Sequence, residues 1–331
     1  MGQIQQWLDH LYQQRAIFKL ESFDCKQLET LLGQFPLANQ MDSVTCVETL
    51  EHEHYSQKLW HIPTVEGLVM PTYQLIPTDP LPNRPVVMAI PGHGHGHRQL
   101  VGISVNNTKL TRADIYHHIA ITLAEKGCQV YVPELIGMGR RRLSADQQTD
   151  PNANDCYELS SQLLLLGKTL TGLRVAECQA LIHYIEQTTG AEQNIGLFGF
   201  SGGGLIALLT AILNQHIHAT VISGFISYFK DSVMSRRHCL DNYLPGLLHY
   251  GEIPELATLI APRPLFIEAG IKDHLFPIES AKRAIKQIEQ HYLQINKAEC
   301  FDKDIFDGGH EIAGHHSSDW LIKQLTKEEV E

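Results

Sequence analysis

The sequence predicts an α/β domain, with a mostly parallel central sheet of about eight strands and helices on both faces. A short helical extension precedes the sheet, and an insertion interrupts it near 229–258. Three observations carry this expectation. From residue 85 onward, short apolar runs suited to buried strands alternate with amphipathic stretches at helical spacing. The chain shows no internal repeat and no low-complexity segment, which sets aside solenoids and propellers. Its 331 residues, 43% of them hydrophobic, suffice for one large domain with a substantial core.

Element by element, residues 1 to about 34 read as one or two amphipathic helices. They form an extension over 1–40 ahead of a main domain at 41–331. These helices would serve either as a contact in a homo-oligomer or as padding for the sheet. TCVETLEHEHYSQKLWHI and GLVMPTYQLI read as extended, hairpin-like segments. The turn-rich PTDPLPN then breaks the chain before the buried strand PVVMAI. The helical TRADIYHHIAITLAEKG leads to the strand CQVYVPEL, and ECQALIHYIEQTTG leads to NIGLFGF. HATVISGF, PRPLFIEAG and KAECF supply three further strands, with the amphipathic IESAKRAIKQIEQHYLQ between the last two. The stretches 138–170 and 229–258 exceed a minimal β/α unit. They are expected above one edge of the sheet, where ligand-facing parts of open α/β sheets gather.

Charge and cysteine usage narrow the function classes. With 26 Lys and Arg against 37 Asp and Glu, the formal net charge is −11, and no basic run is present. Nucleic acid and anionic membranes are therefore not expected partners. The seven cysteines are scattered and odd in number, with no CxxC pair. That suits reduced thiols in a cytoplasmic protein better than a disulfide framework or a zinc knuckle. The N-terminus lacks a signal-peptide core, and no apolar run approaches the roughly 18 residues that span a bilayer.

The chemistry centres on Gly199-Phe200-Ser201-Gly202-Gly203, which fits G-x-S-x-G between the strand NIGLFGF and the helix-forming LIALLTAILNQ. So sharp a turn holds the serine in a strained conformation and brings residues two before and two after it together. A Cβ at Gly199 or Gly203 would then collide with backbone. A phosphate-binding loop and plain close packing are the rivals for glycines in this setting; for the first, the GK[ST] of a Walker loop and the Rossmann spacing are both missing.

A serine nucleophile needs a base, and a histidine base needs an orienting carboxylate. Asp273 falls in the loop after PRPLFIEAG, and His310 falls behind two glycines after KAECF. Both loops lie at the carboxyl edge of a parallel sheet, so the two side chains can converge with Ser201. His315 and His316 compete for the base, although they fall where the C-terminal helix should begin. Asp231, Asp241, Asp302, Asp304 and Asp307 compete for the acid. His274 is expected at the surface.

PGHGHGHRQ follows the first buried strand. As a metal site, His93, His95 and His97 would share one face if extended, but alternating glycines would hold them loosely. The better-fitting reading is an oxyanion loop, whose backbone N–H at His93, with Gly94 and His95 as rivals, joins that of Gly202.

Taken together, VVMAIPGHGHG, VYVPELIGMGRR, LLLLGKTLTGLRVAECQALIHYI, IGLFGFSGGG, HCLDNYLPGLL, LIAPRPLFIEAGIKDHLFP and FDGGHE resemble the α/β-hydrolase superfamily. Within it the chain is similar to the dienelactone-hydrolase and acetyl-xylan-esterase-like serine hydrolases of bacteria, over about residues 45 to 325. The resemblance implies the α/β-hydrolase fold, with Ser201 as nucleophile, Asp273 as acid and His310 as base. It implies no metal and no organic cofactor. Pro91-Gly92 stands where the family has His-Gly, and Glu134-Leu135-Ile136-Gly137 where it has Asp-x-x-Gly. Related sequences carry HCLDNYLPGLL near the active-site mouth. His238, Asp241, Asn242 and Tyr243 are thus candidates for touching substrate, or else a turn and helix propping the insertion. Arg140, Arg141 and Arg142 cannot all face one pocket, and most are expected in solvent. The expected activity is hydrolysis of a small-molecule carboxylic ester, such as a short-chain acyl or acetyl ester, through an acyl-enzyme. A peptidase or amidase, or a metal-dependent hydrolase using the histidine loop, are the alternatives.

Overall fold

Strand pairing in the computed structural model organises the whole chain. It describes residues 2–17, 25–39, 43–110, 114–143, 150, 153–189 and 194–327. The expected boundary at 40/41 and the first residues of the expected helix at 111–113 lie outside these. Nine strands form a single sheet in the order β1-β2-β3-β5-β4-β6-β7-β8-β9. β1 (Thr45–Glu51), β2 (Tyr55–Pro63) and β3 (Val69–Pro77) make an antiparallel meander. β4 (Val86–Ile90), β5 (Gln129–Pro133), β6 (Ile195–Phe200), β7 (Ile217–Ser223), β8 (Leu265–Gly270) and β9 (Phe301–Phe306) run parallel. β3 joins the two halves by pairing antiparallel with β5.

Nine strands appear where about eight were expected, because the first extended segment folds back on itself. A turn at 52–54, closed by His52 N–H donating to the Tyr55 carbonyl at 2.9 Å, divides it into β1 and β2. The helices are α1 (Gln3–Gln14), α2 (Cys25–Leu32), α3 (Ile119–Glu125), α4 (Cys156–Leu165), α5 (Leu170–Thr189), α6 (Gly202–Leu213), α7 (Ile253–Thr258), α8 (Ile278–Gln294) and α9 (His315–Thr326).

The period-two alternation of strands sorts side chains onto two faces. Val86, Met88 and Ile90 of β4 pack with Leu181 of α5, Leu205 of α6 and Ile285 of α8. Val87 and Ala89 point the other way, toward Leu123 of α3 and Leu321 and Leu325 of α9. α2 pads the first face through Leu28 and Leu32. α1 buries no residue, so it does not pad the sheet. It rests instead on the insertion near 229–258, where Tyr12 donates to Glu252 at 2.7 Å and Lys230 pairs with Asp9.

Two elements differ from their sequence expectation. α3 begins only at Ile119, because His117 and His118 sit at φ 48° and 54° and Tyr116 N–H bonds the Asp114 carboxylate at 2.9 Å. KAECF is mostly a 3-10 turn, and the last strand is FDKDIF. Among the described residues no helix is long and apolar enough to cross a membrane.

The connections after the six parallel strands all emerge at one edge of the sheet. Those after β5 and β7 hold the two long stretches singled out in the sequence, and they arch over β4 and β6 until they touch. That edge carries the chemistry.

Candidate active site

Ser201 sits between β6 and α6 with φ 54° and ψ −124°, a conformation that costs about 1–3 kcal/mol for a residue with a Cβ. A neighbouring strand and the following helix enforce it: Ser201 N–H donates to the Ser223 carbonyl of β7 at 2.9 Å, and Gly204 N–H of α6 donates to the Ser201 carbonyl at 2.7 Å. The flanking glycines are needed for close approach. A Cβ at Gly199 would lie 2.4 Å from the Gly203 carbonyl oxygen, and one at Gly203 would lie 2.3 Å from that of Ile90.

Ser201, Asp273 and His310, chosen from the sequence, meet at this edge. Ser201 Oγ lies 2.8 Å from His310 Nε2, and His310 Nδ1 lies 2.8 Å from Asp273 Oδ2. The other carboxylate oxygen of Asp273 accepts the N–H groups of Leu275 at 2.7 Å and Phe276 at 3.1 Å. Asp273 is therefore fixed as an acceptor facing the ring. The His310 imidazole lies between Phe200 and Phe276, with centroids 4.9 Å and 5.8 Å away. Ser201 keeps only 8% of its surface exposed, which limits water at the hydroxyl. The arrangement can pull a proton from a hydroxyl and stabilise the imidazolium that results.

The rivals lie elsewhere. His315 and His316 are exposed at the start of α9, and His274 is exposed as expected. Asp231 holds Ser280 and Arg283, while Asp307 pairs with Lys272 at 2.6 Å. Asp302 is exposed on the edge strand, and Asp304 is half-buried two residues along it.

The three histidines of the glycine-rich loop part company. His93 turns toward Asp241, His95 Nε2 approaches the Ile103 carbonyl at 3.4 Å, and His97 Nδ1 bonds the Val132 carbonyl at 3.1 Å. They cannot share one metal ion. The His95 N–H is taken by the Gln99 side chain at 3.1 Å, which leaves the 92–94 end of the loop facing the serine. A Cβ at Gly92 would lie 2.8 Å from Ser201 Cβ, so backbone at 92–93 passes directly beside the hydroxyl.

Behind that loop is a cluster that sequence reasoning only half found. His93 Nε2 lies 3.0 Å from Asp241 Oδ2, and Arg174 of α5 donates to the same oxygen. Arg174 also donates to Cys156 Sγ at 3.2 Å and to the Ile136 carbonyl at 3.0 and 2.8 Å. Asn242 Nδ2 donates to Asp241 Oδ1 at 2.8 Å, and the Thr171 hydroxyl donates to the Asp241 carbonyl. Burial opposes the charge on Asp241, but His93 and Arg174 outweigh it and hold the carboxyl well below its usual range. Burial likewise opposes a charge on His93, and the Asp241 carboxylate more than offsets it, raising that imidazole well above its usual value. Ligand atoms of His93, Cys239 and Asp241 lie within 4.8 Å of one another. A cation there would face the Arg174 guanidinium across a shared oxygen, so the charge is already balanced without one.

Of the other candidates at 238–243, the His238 ring packs edge-on to Phe276 with centroids 5.9 Å apart. Burial, with His93 and His310 nearby, lowers its pKa. Tyr243 spends its hydroxyl on the Val233 carbonyl at 2.9 Å. Asn242 and Tyr243 help line a cavity of about 260 Å³ with Phe229, Val233, Leu244 and Leu247, inside the insertion. The expectation of solvated arginines fails for two of three. Arg141 makes a two-pronged pair with buried Glu177 at 2.6 and 2.7 Å, and Arg142, 6% exposed, caps the Asp150 and Ala153 carbonyls. The Glu177 carboxylate, shared with the Thr64 hydroxyl, draws Arg141 inward, and the two carbonyls hold Arg142. Arg140 remains exposed. For Arg174 the only sequence signal was a charge, three residues before Glu177, in the more apolar first half of α5.

Comparison with known proteins fits this arrangement. A family model described as "Abhydrolase family" matches residues 19–304. The "Putative hydrolase YtaP" of Bacillus subtilis (strain 168) is 25% identical over 290 residues, 83% of this chain and 89% of that protein. Among solved structures, a "putative acetyl xylan esterase" from Bacteroides fragilis NCTC 9343 superposes with a TM-score of 0.75 at 15% identity, covering 92% of this chain and 83% of that one. A glucuronoyl esterase from Solibacter usitatus gives 0.63 at 11% identity, covering 93% of each. At such identities the structural likeness speaks for the fold.

Proposed function

The chain belongs to the Abhydrolase family, and from that premise we propose that it is a serine hydrolase cleaving small carboxylic esters through an acyl-enzyme. One observation carries the reading: the unbroken row from Ser201 Oγ through His310 to Asp273, with both contacts at 2.8 Å. His310 takes the Ser201 proton as the oxygen attacks the ester carbonyl, then returns it to the departing alcohol. Asp273 keeps the ring in the tautomer that presents Nε2 to the serine. The N–H groups of Gly202 and His93 receive the oxyanion, each donor worth about 3–4 kcal/mol of barrier. Water, activated by the same imidazole, then releases the acid.

Acetyl or other short acyl esters are the proposed substrates; the esterase names of the structural neighbours support ester cleavage, and that of the acetyl xylan esterase supports the acetyl group. No cofactor enters this scheme, and the diverging histidines give the metal-dependent alternative no support. The cytoplasm is the proposed compartment, resting on seven cysteines that all stand as free thiols. Residues 1–40 are proposed as an extension to a hydrolase domain at 41–331.

Ser201→Ala tests the reading. Turnover of p-nitrophenyl acetate should fall by at least about 10⁴-fold, with the melting temperature little changed. A fluorophosphonate should label wild type at Ser201 alone. Retained turnover, or an adduct elsewhere on folded protein, overturns the assignment. Faster cleavage of peptide anilides than of esters would redirect the function to an amidase.

A further inference from the structure

We propose that His93 serves the oxyanion with its side chain as well as its backbone: an imidazolium anchored by Asp241 and Arg174 that presents Nδ1–H beside the Gly202 amide. This rests on the acyl-enzyme reading above and adds to it a charged donor.

The geometry carries the inference. The hydrogen bonds to Asp241 Oδ2 at 3.0 Å and toward Cys156 Sγ at 3.5 Å run through Nε2, and the Cys239 thiol also approaches the ring. The opposite edge lies over the first residue of α6. A Cβ at Gly202 would come within 3.2 Å of His93 Cε1 and 3.3 Å of Nδ1. The side chain is 23% exposed, whereas the Asp241 side chain holding its other edge is 3% exposed. The Cε1–Nδ1 edge of the ring therefore lies against Gly202, next to Ser201, and the Nε2 edge faces the buried anchor.

Proton bookkeeping then selects the charge state. Asp241 is a carboxylate bonded to Arg174, so it can only accept, and Nε2 must carry a proton. A neutral ring would aim a lone pair from Nδ1 at the developing negative charge and would hinder the reaction. A doubly protonated ring aims a donor, as a charge-assisted hydrogen bond in a site of low dielectric. The groups facing the ring are Asp241, Arg174 of α5, Cys156 at the start of α4, Cys239, and His238 beside it. Of these Asp241 dominates, and the imidazole is held protonated well above its usual range.

Two measurements test the proposal together. In wild type, nitrogen NMR of labelled imidazoles should show His93 protonated on both nitrogens at pH 7, losing Nδ1–H only in alkaline solution. kcat should fall in the same alkaline step. His93→Gln should lower kcat by about 10²-fold, leave KM within a few-fold, and abolish that alkaline limb. Asp241→Asn should move the limb to lower pH, which a ring that merely props the loop would not do. A neutral His93 at pH 7 overturns the proposal even if the variants fail to fold. So does a His93→Gln enzyme with wild-type kcat while Ser201→Ala is inactive, and that result leaves the acyl-enzyme reading standing. Activity retained in Ser201→Ala would instead remove the reading itself.

Discussion

The backbone around Ser201 shows how strain and space act on single residues. Ser201 holds φ 54° only because β7 bonds its N–H and because two glycines admit the helix against the sheet. Gly199 and Gly203 differ from a flexible-turn glycine, since what they supply is absent volume. A methyl group at Gly203 would press on the carbonyl oxygens of Ile90 and Pro91, at 2.3 and 2.5 Å. Backbone there cannot swing aside as a side chain could. Gly203→Ala should therefore destabilise the fold by at least the roughly 1–3 kcal/mol of an overpacked core. It should also shift Ser201 Oγ off His310. Thermal melts and the rate of fluorophosphonate labelling should fall together. An alanine variant that melts and labels like wild type would show that α6 is free to slide along the sheet.

At the scale of elements, β8 carries two acids with opposite environments. Asp273, just past its end, faces donors and the cleft. Glu268, inside it, is fully buried, with Gly314 N–H donating to one oxygen at 2.9 Å. Burial raises the Glu268 carboxyl above its ordinary value of 4.5, and its hydrogen bonds only partly counter this. A carboxyl raised on folding lends stability fully below its unfolded pKa and loses it as pH climbs through the folded one. Glu268→Gln keeps an acceptor for Gly314 without the ionisation, so the difference in melting temperature between variant and wild type should grow in the variant's favour from pH 4.5 upward. A difference independent of pH would mean that Glu268 does not titrate against folding. The same strand shows what sequence could disclose. Its six buried residues read plainly as a strand, and so did β4, β6 and β7. β9 did not, because an edge strand needs few apolar residues and DKDIF looks like a loop. The split between β1 and β2 was hidden for the same reason, β1 being exposed along its whole length. Ser201 and Asp273 were legible because each follows a readable strand, and His310 because it stands behind a pair of glycines in a loop near the end of the chain. The Arg174–Asp241 contact was not, since it joins two long connections with no periodicity to place them.

Across the whole molecule, that contact ties the connection after β5 to the connection after β7 directly above the serine. Arg174 and Asp241 are 2% and 3% exposed at their side chains, so neither charge can turn to water if the other is lost. Arg174→Met should cost about 3–5 kcal/mol, the usual penalty for stranding a buried partner. Replacing both charges, as Arg174→Met with Asp241→Leu, removes the stranded carboxylate and should restore most of that stability, because well-packed apolar pairs often equal buried ion pairs. Activity should not return with it. His93 would have lost the carboxylate that fixes its ring and holds its proton, so kcat should stay depressed in the double variant while its melting temperature recovers. The two connections would then be seen to meet for the sake of the loop between them, with stability as a by-product. Recovery of kcat alongside stability would show instead that the arch matters only as a scaffold, and that the 91–96 loop finds its position without Asp241.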